Sequence, residues 1–523
     1  MPLPNHLTRW QWTGLASFLA IAILTVLQYR PSHMDSKSVS GFIHNGSPVT
    51  GQHPGAASTN DVPGVTSKLH LLMPASGKHF RLCRALASAT ILGYPVPVMN
   101  GWMKEGELDA SKTHLAKVRT VMQYLDSLPP SSDEDLVLMV DGYDIVFQIP
   151  PDVLIDRYFA TVRTASAKLA ARFGVHSVDS LVGPNSPRQT ILFGPEKICY
   201  PVQWGRVGCW AIPEDIDIPP GAFGPDDGQM SHNLPRWLNS GTIMGPAKDM
   251  RKLFAATLDR IAETYDPNHQ FSDSDQMYMS DIWGVQEFGR SIEARRLYFH
   301  GDVDPNDVVP TGGETKTVPT LSPGQQTEYH IGIDYRSALF QTRVGSDHAL
   351  AFLAYNETNE TGDTTYATVF QNISEYTHFK PYKIELPSNL ASSITRVLQS
   401  IKGVITAIPH VTELRLDTNV VTKNVYGLFH CTGDKDYIDD LWAKLWYYPY
   451  ARPLFEAAIP SLKAGRSLGI EDGRAWLPAH TLPSNSSEAQ GINATGAWTG
   501  ADGEWVAWQD ICGDFEDEVF GNQ

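Results

Sequence analysis

Two aspartates, Asp141 and Asp144, follow a short apolar stretch and could share one metal ion. Residues 136–140 are five consecutive apolar residues, too few for a helix, and predict a buried parallel strand. Ligands of open α/β sheets bind beyond the carboxyl ends of the strands, so both carboxylates stand where a site is expected. Carboxylates at this spacing can hold a hard divalent cation whose other ligands are water and substrate phosphates. The alternative is an ordinary turn built on Asp-Gly.

The elements that would position this pair alternate along the chain. Short apolar runs at 69–73, 95–99 and 190–193 predict strands, and amphipathic stretches at 79–92, 112–127, 150–173 and 247–264 predict helices. This alternation is typical of an α/β fold with a mixed, mainly parallel sheet flanked by helices. We expect one domain over 68–457, with insertions at about 201–234, 303–328 and 344–427, and a partly ordered tail at 458–523.

Composition and charge restrict the possible partners. The chain has 523 residues, 42% of them hydrophobic, which is enough for a large core. Its net charge of −17 argues against nucleic acid as a partner, because a phosphate backbone needs clustered basic residues. An anionic donor stays compatible with this charge if a metal supplies the local positive charge.

The N-terminal residues predict a membrane anchor. Residues 13–29 carry no charge and lie at the lower length limit for a transmembrane helix. We expect a cytoplasmic tail at 1–12, a signal anchor at 13–29 and a flexible stem at 30–67; a cleaved signal peptide is the alternative. This single-pass type II topology places the catalytic part in the lumen of the Golgi or endoplasmic reticulum. Six sequons follow the apolar segment, at Asn45, Asn356, Asn359, Asn372, Asn485 and Asn493.

The five cysteines match no zinc-binding pattern and are too few for a disulfide scaffold. In an oxidising lumen Cys199 and Cys209 could close a short loop. Because the number is odd, at least one thiol has no partner within the chain.

Several ordered motifs resemble the glycosyltransferase domain of procollagen lysyl hydroxylases and related collagen glycosyltransferases. The motifs are HFRLCRALASATILGYPVPVMNGW (79–102), LAKVRTV, LVLMVDGYDIVF, LFGPEKICYP, RWLNSGTIMG (236–245), DSDQMYMSDIW, IGIDYRSALFQT and LFHCTGDK. The resemblance is patchy, covering most of 68–342 and then 424–447. It implies a GT-A-like (Rossmann-like) fold, a UDP-sugar donor and Mn²⁺, or Mg²⁺ in its place. Tyr200, Ser274 and Thr432 depart from the family pattern, which leaves the sugar and the acceptor open.

The resemblance assigns roles to particular residues. The metal ligands would be Asp141, Asp144 and His430; the donor would contact Trp102, Lys117, Asn239, Ser240, Gly241, Gly433 and Lys435; the acceptor side would hold Asp275, Gln276 and Glu196. Asp275 is the preferred acceptor-side carboxylate, and Glu196 is a weaker candidate. Asp334 and Gln341 are expected to support the fold.

Each role has an ordinary structural alternative. Trp102 could stack on uracil or belong to the core, and Lys435 could meet a phosphate or lie in solvent. The polar break at 239–241 could contact the sugar or form a turn. Asp273, Asp275 and Gln276 could serve chemistry or begin a helix.

The sequence thus predicts a membrane-anchored, lumenal, metal-dependent glycosyltransferase that moves a hexose from a UDP-sugar to a protein or glycan acceptor. One alternative is a metal-dependent hydrolase that uses the same carboxylates with water as acceptor. The other is a non-catalytic carbohydrate-binding protein of the same fold.

Overall fold

The structure, a computed structural model, describes residues 64–183, 185–213, 216–362, 364–370, 380–484 and 491–521. The predicted tail, anchor and stem at 1–67 lie outside these residues, except for 64–67. Within the described ranges, no helix combines the length and the apolar composition that crossing a bilayer requires.

The chain forms nineteen strands within the described residues. They are β1 (Thr66–Leu72), β2 (Val98–Met99), β3 (Leu136–Val140), β4 (Ile145–Phe147), β5 (Ile191–Glu196), β6 (Trp237–Pro246), β7 (Ile331–Ile333), β8 (Phe340–Thr342), β9 (Leu350–Ala354), β10 (Glu357–Thr358), β11 (Thr365–Val369), β12 (Tyr382–Glu385), β13 (Arg415–Asn419), β14 (Asn424–Val425), β15 (Leu428–His430), β16 (Gly469–Glu471), β17 (Arg474–Pro478), β18 (Gly496–Thr499) and β19 (Trp505–Ala507).

The helices pack around a central sheet. They are α1 (Phe80–Leu92), α2 (Leu115–Ser127), α3 (Pro151–Arg172), α4 (Val207–Trp210), α5 (Ala247–Thr264), α6 (Asp275–Phe299), α7 (Ser388–Gln399), α8 (Tyr437–Trp442), α9 (Ala451–Ala464), α10 (Trp508–Cys512) and α11 (Glu516–Phe520). The central sheet has the order β19-β18-β2-β1-β3-β6-β5-β7, with β17 also paired to β1 and β16 to β17. Strands β17, β2 and β3 run parallel to β1, whereas β6 is antiparallel to β3 and β5. The predicted mixed, mainly parallel sheet flanked by helices is confirmed.

Strand β3 is buried on both faces, which explains why its residues are uniformly apolar. Leu136, Leu138 and Val140 point into the core that contains α1 and α9. Val137 and Met139 point into a second core, against α2 and α5. This two-sided packing fixes the end of β3 and therefore the start of the aspartate turn.

The C-terminal segment is more ordered than the predicted tail at 458–523. It supplies β16, β17, β18 and β19 to the central sheet, and a disulfide joins Cys83 of α1 to Cys512 of α10 with a Cα–Cα distance of 5.6 Å. Polar, glycine-rich segments can form strands when they pair with other strands of a sheet. Local composition does not show this pairing.

The insertions differ in content. Residues 344–427 contain α7, the sheet β10-β11-β12 and a second sheet in which β13 pairs with β9 and with β14. The described residues of 201–234 contain α4 and a 3₁₀ turn, and 303–328 contains a 3₁₀ turn, so loops dominate both segments as expected. Asp226–Gln229 is a separate short segment. Within it, the backbone N–H of Gln229 donates a hydrogen bond to the Asp227 carboxylate.

Candidate metal centre

A tight turn carries Asp141 and Asp144 from β3 to β4. The Asp141 backbone N–H donates to the carbonyl of Gly241 on β6, at 2.9 Å. Between the aspartates, the Tyr143 hydroxyl accepts from the backbone N–H groups of Ser76 and Gly77, at 2.8 and 2.9 Å. These contacts hold the turn between the ends of β1 and β6.

Strand pairing brings His430 to this turn. Strand β15 is antiparallel to β4, with His430 opposite Ile145, and parallel to β8. The His430 Nε2 atom lies 3.3 Å from Asp144 Oδ2 and 3.8 Å from Asp141 Oδ2. One donor atom from each of the three residues fits within 4.8 Å of the others. The predicted metal triad is therefore assembled.

The triad fits a divalent cation. Two carboxylates and an imidazole are a donor set that Mn²⁺ or Mg²⁺ accepts. Asp144 Oδ1 and His430 Nδ1 are buried and have no hydrogen-bond partner within the described residues. Gly241 keeps the space open, because a Cβ atom there would lie 2.1 Å from His430 Cε1 and 2.8 Å from Asp141 Oδ2.

Two lysines compensate the carboxylates. Lys435 Nζ donates to Asp144 Oδ2 and to the Cys431 carbonyl. Burial alone would raise the pKa of Asp144, but the neighbouring His430 and Lys435 hold this pKa well below its ordinary value. The carboxylate is therefore ionised at neutral pH and can accept a cation.

The second lysine joins Asp141 to Asp275, the carboxylate predicted for the acceptor side. Lys117 Nζ lies 3.0 Å from Asp141 Oδ1 and 2.7 Å from Asp275 Oδ2. Burial lowers the pKa of Lys117, but the two carboxylates outweigh this effect and raise the pKa above its ordinary value. The predicted donor-side lysine thus holds a metal ligand and the preferred acceptor-side carboxylate together.

A hydrogen-bonded polar cluster adjoins the triad at the ends of β5 and β6. Asn239 Nδ2 donates to Glu196 Oε2 at 2.8 Å, and the Ser240 N–H donates to Gln276 Oε1 at 3.3 Å. Burial raises the pKa of Glu196 to about 7, against smaller opposite effects of His430 and Asn239. Residues 239–241 lie inside β6, so the alternative of a structural turn is wrong.

The two carboxylates at the start of α6, Asp273 and Asp275, have different partners. Ser274 is the N-cap of α6 and accepts from the Met277 N–H. Asp273 accepts from the His114 N–H and the Thr113 hydroxyl, next to the start of α2. Of this acidic pair, Asp275 is the one that contacts Lys117.

Trp102 and Gly433, both predicted to contact the donor, have structural explanations. Trp102 packs against the first core, which supports its structural alternative. Gly433 has φ of 75°, and a Cβ atom there would lie 2.8 Å from Val344 Cγ2, so backbone conformation explains this glycine. Asp334 accepts from three backbone N–H groups, and Gln341 accepts from Asn419; both support the fold as expected.

Sequence analysis missed two residues near the site. Tyr143 lies inside the predicted motif, but its contacts with residues 76 and 77 depend on the packing of β1 beside β3. Lys197 is 1% exposed and lies 3.8 Å from the centre of the Phe223 ring, and burial lowers its pKa to about 7. A lysine directly after Glu196 gives no local signal of such burial.

The predicted Cys199–Cys209 disulfide is present, with a Cα–Cα distance of 5.4 Å, and Cys431 is a buried free thiol.

No model of a known protein family matches the chain, and no curated protein matches it.

Proposed function

We propose that this chain is a metal-dependent glycosyltransferase with a GT-A-like fold, which transfers a hexose from a UDP-sugar to a protein or glycan acceptor. The observation that carries the proposal is the convergence of Asp141, Asp144 and His430 at the carboxyl end of β3. The ordered motif resemblance to collagen glycosyltransferases supports the same conclusion and suggests the donor.

The donor side would be formed by the triad and its lysines. Asp141, Asp144 and His430 would hold Mn²⁺ or Mg²⁺, which would neutralise negative charge on the departing diphosphate. The Lys435 side chain is 41% exposed, against 10% for Lys117, and is therefore the more accessible partner for a phosphate oxygen. Gly241 keeps the backbone close to the bound group.

The acceptor side would use the polar cluster. Asn239 and Ser240 offer hydrogen-bonding groups to sugar hydroxyls. A general base acts best when its pKa lies near the working pH, which favours Glu196, with a pKa of about 7. Because Asp275 is ion-paired with Lys117, we assign it to orienting that lysine, although the sequence favoured it as the base.

The first experiment measures the melting temperature with UDP and MnCl₂. We expect the full chain to be stabilised by UDP only with Mn²⁺, and Asp144→Asn and His430→Gln to lose that stabilisation. Asp514→Asn is the matched control, since its side chain is 77% exposed and far from the triad in the chain. Equal stabilisation of all four proteins would contradict the proposed metal centre.

The second experiment separates transfer from hydrolysis. The wild-type protein is incubated with Mn²⁺, UDP-glucose or UDP-galactose, and a panel of peptide and glycan acceptors. Sugar transfer that disappears in Asp144→Asn supports the proposal. Release of free sugar at the same rate with and without acceptors would favour the hydrolase instead.

We also propose a lumenal location, with residues 13–29 as the membrane anchor. Two disulfides are typical of an oxidising compartment. The sequon residues Asn356 and Asn493 are exposed and accessible to glycosylation. Protein isolated from its own cells should lose mass on treatment with an N-glycosidase, and an unchanged mass would argue against this location.

A further inference from the structure

A second cavity lies beside the edge strand β7, apart from the metal centre. Its volume is about 770 Å³, within the range of small-molecule sites. Helix α3 forms one side, α6 forms another, and β7 with the loop after it forms the floor. None of Asp141, Asp144 and His430 lines it.

The inner wall of this cavity is largely apolar. Ile212, Ala294 and Val308 are its half-buried apolar side chains, whereas Trp283, Phe288, Ile331 and Ile333 also line it but are only 0–2% exposed. Such a lining favours a ligand with an apolar body.

Two polar side chains on the wall lack partners. Gln189 is only 9% exposed and lines the cavity, yet its carboxamide makes no hydrogen bond with another described residue. The Tyr335 hydroxyl also has no hydrogen-bond partner in the part of the chain that the structure describes. A buried amide is normally hydrogen-bonded, so Gln189 is suited to bind a ligand atom.

Basic side chains outnumber acidic ones around the cavity, although the whole protein has a net charge of −17. Five basic and three acidic side chains line it. Arg172 and Arg290 each lie 2.7 Å from Glu287, and Lys168 and Arg336 lie 3.4 and 3.5 Å from Asp217. Arg295 and Arg336 are exposed at the rim, where Arg295 can meet an anionic group from solvent beside the Arg336–Asp217 pair.

We infer that this cavity is a binding site for a small amphipathic anion. The apolar body lies against Ile212, Ala294 and Val308, and one carboxylate, sulfate or phosphate group faces Arg295 and Arg336. Gln189 and Tyr335 hydrogen-bond the polar part of the ligand. The inference does not depend on the glycosyltransferase proposal, because no residue of the candidate metal triad lines the cavity.

The test uses the full chain and two sets of matched probes. Octanoate is compared with 1-octanol and octylammonium, and naphthalene-2-sulfonate with naphthalene-2-methanol, by titration calorimetry below the micellar range. We expect at least one anion to bind with a stoichiometry of one, and its neutral or cationic counterparts to bind at least about tenfold more weakly. The preferred anion distinguishes an alkyl from an aromatic ligand.

Substitutions of residues that line the cavity test where the anion binds. Arg295→Gln and Arg336→Gln should each weaken anion binding by about fivefold. The matched control is Arg296→Gln, since Arg296 follows Arg295 but pairs with Glu293 and does not line the cavity. Ala165→Trp, which fills the cavity from α3, should abolish binding; if that variant does not fold, the arginine variants decide.

Three outcomes would overturn the inference. They are no binding of either anion, equal binding of anions and their uncharged counterparts, and equal effects of Arg296→Gln and Arg295→Gln.

Discussion

The candidate metal centre requires glycine at position 241, because any side chain there would occupy the space of His430 and Asp141. The φ of Gly241 is not in the left-handed region, so the glycine is required by space and not by backbone conformation. A methyl group at this position would overlap His430 Cε1, and it would also approach the Asp141 carboxylate.

Gly241→Ala is therefore expected to abolish the Mn²⁺-dependent stabilisation by UDP while the protein stays folded. The imidazole must move away from both carboxylates, because the Cβ atom would lie 2.1 Å from its ring. Thermal shift measures the loss, and circular dichroism checks the fold. Gly500→Ala is the control, since a Cβ there meets nothing within 4 Å. A Gly241→Ala protein that responds to UDP and Mn²⁺ like wild type would contradict this role.

Lys117 couples two carboxylates, and a double-mutant cycle should show the coupling. Lys117→Met leaves Asp141 and Asp275 without this cation and should lower the free energy of unfolding by about 3 kcal/mol. Adding Asp275→Asn should recover part of that loss, because one of the two unpaired charges is gone. Urea unfolding without metal gives both values; strictly additive effects would show that the two residues do not interact.

The sequence predicted which residues form the candidate site better than it predicted their contacts. Asp141, Asp144 and His430 were predicted and lie together. The reason expected for Gly241 was approach of a sugar, whereas the structure shows close approach of two side chains of the candidate triad, His430 and Asp141. Contacts between residues far apart in the chain depend on strand pairing, which local patterns do not encode.

Among the elements, the edge strand β7 is protected by one side chain of α6. Gln286 Oε1 accepts from the Tyr329 and Ile331 N–H groups, and its Nε2 donates to the Ile331 carbonyl, at 2.9–3.1 Å. The carboxamide thus takes the place of a neighbouring strand, which is one way to prevent edge-to-edge association.

Gln286→Met keeps the volume of this side chain and removes its hydrogen bonds. We expect the free energy of unfolding to fall by about 2–3 kcal/mol, because buried backbone groups of β7 lose their partner. Chemical denaturation measures this change, and size-exclusion chromatography detects association through the freed edge. An unchanged stability would show that water replaces the amide at no cost.

A buried polar chain links β1, α2 and the segment after β17. The Tyr124 hydroxyl lies 2.7 Å from His70 Nδ1 and 2.7 Å from His480 Nε2. Burial, together with the nearby His70 and Lys68, lowers the pKa of His480 to about 4 from an ordinary value of 6.5.

This shift predicts a stability that depends on pH. The unfolded chain takes up a proton on His480 near pH 6.5, whereas the folded chain resists it until about pH 4. The contribution of His480 is therefore complete above pH 6.5 and is lost as the pH falls toward 4. His480→Gln should show a shallower fall of the melting temperature over that window than wild type. Parallel curves would refute the assignment.

The predicted element boundaries were accurate where the sequence carries a strong helix or strand pattern. The helix predicted at 247–264 is confirmed, and that predicted at 150–173 is Pro151–Arg172. The strand predicted at 95–99 is only Val98–Met99, since Pro95 and Pro97 lack the N–H groups that a ladder needs. Strand β5 runs beyond the predicted residue 193 to Glu196, because β6 extends beside it.

The C-terminal segment completes the central sheet. Strand β17 pairs with the first half of β1, β18 pairs with β2, and Cys512 is bonded to Cys83. Sequence indicated a polar tail there, because short glycine-bounded strands carry little apolar signal of their own. Only the assembled sheet shows that these residues are part of the core.

The two disulfides should differ in their contribution to stability. The pair Cys83–Cys512 closes a loop with a sequence separation of 429 residues, and Cys199–Cys209 one with a separation of 10. Loop entropy grows with the logarithm of length, so removing the long link should cost more, within about 2–6 kcal/mol for either. Urea unfolding of Cys83→Ala/Cys512→Ala and Cys199→Ala/Cys209→Ala gives the comparison. A larger loss from the second pair would contradict the ranking.

The antiparallel pairing of β4 with β15 has a consequence for biosynthesis. A growing polypeptide acquires its aspartate pair early, but its imidazole emerges from the ribosome only after nearly three hundred further residues. Until then the nascent chain would carry only the two carboxylates of the proposed metal triad and would bind a cation weakly. Tight manganese binding would therefore indicate that residue 430 has been translated and that β15 has paired with β4. Metal retention would then measure complete assembly of the site.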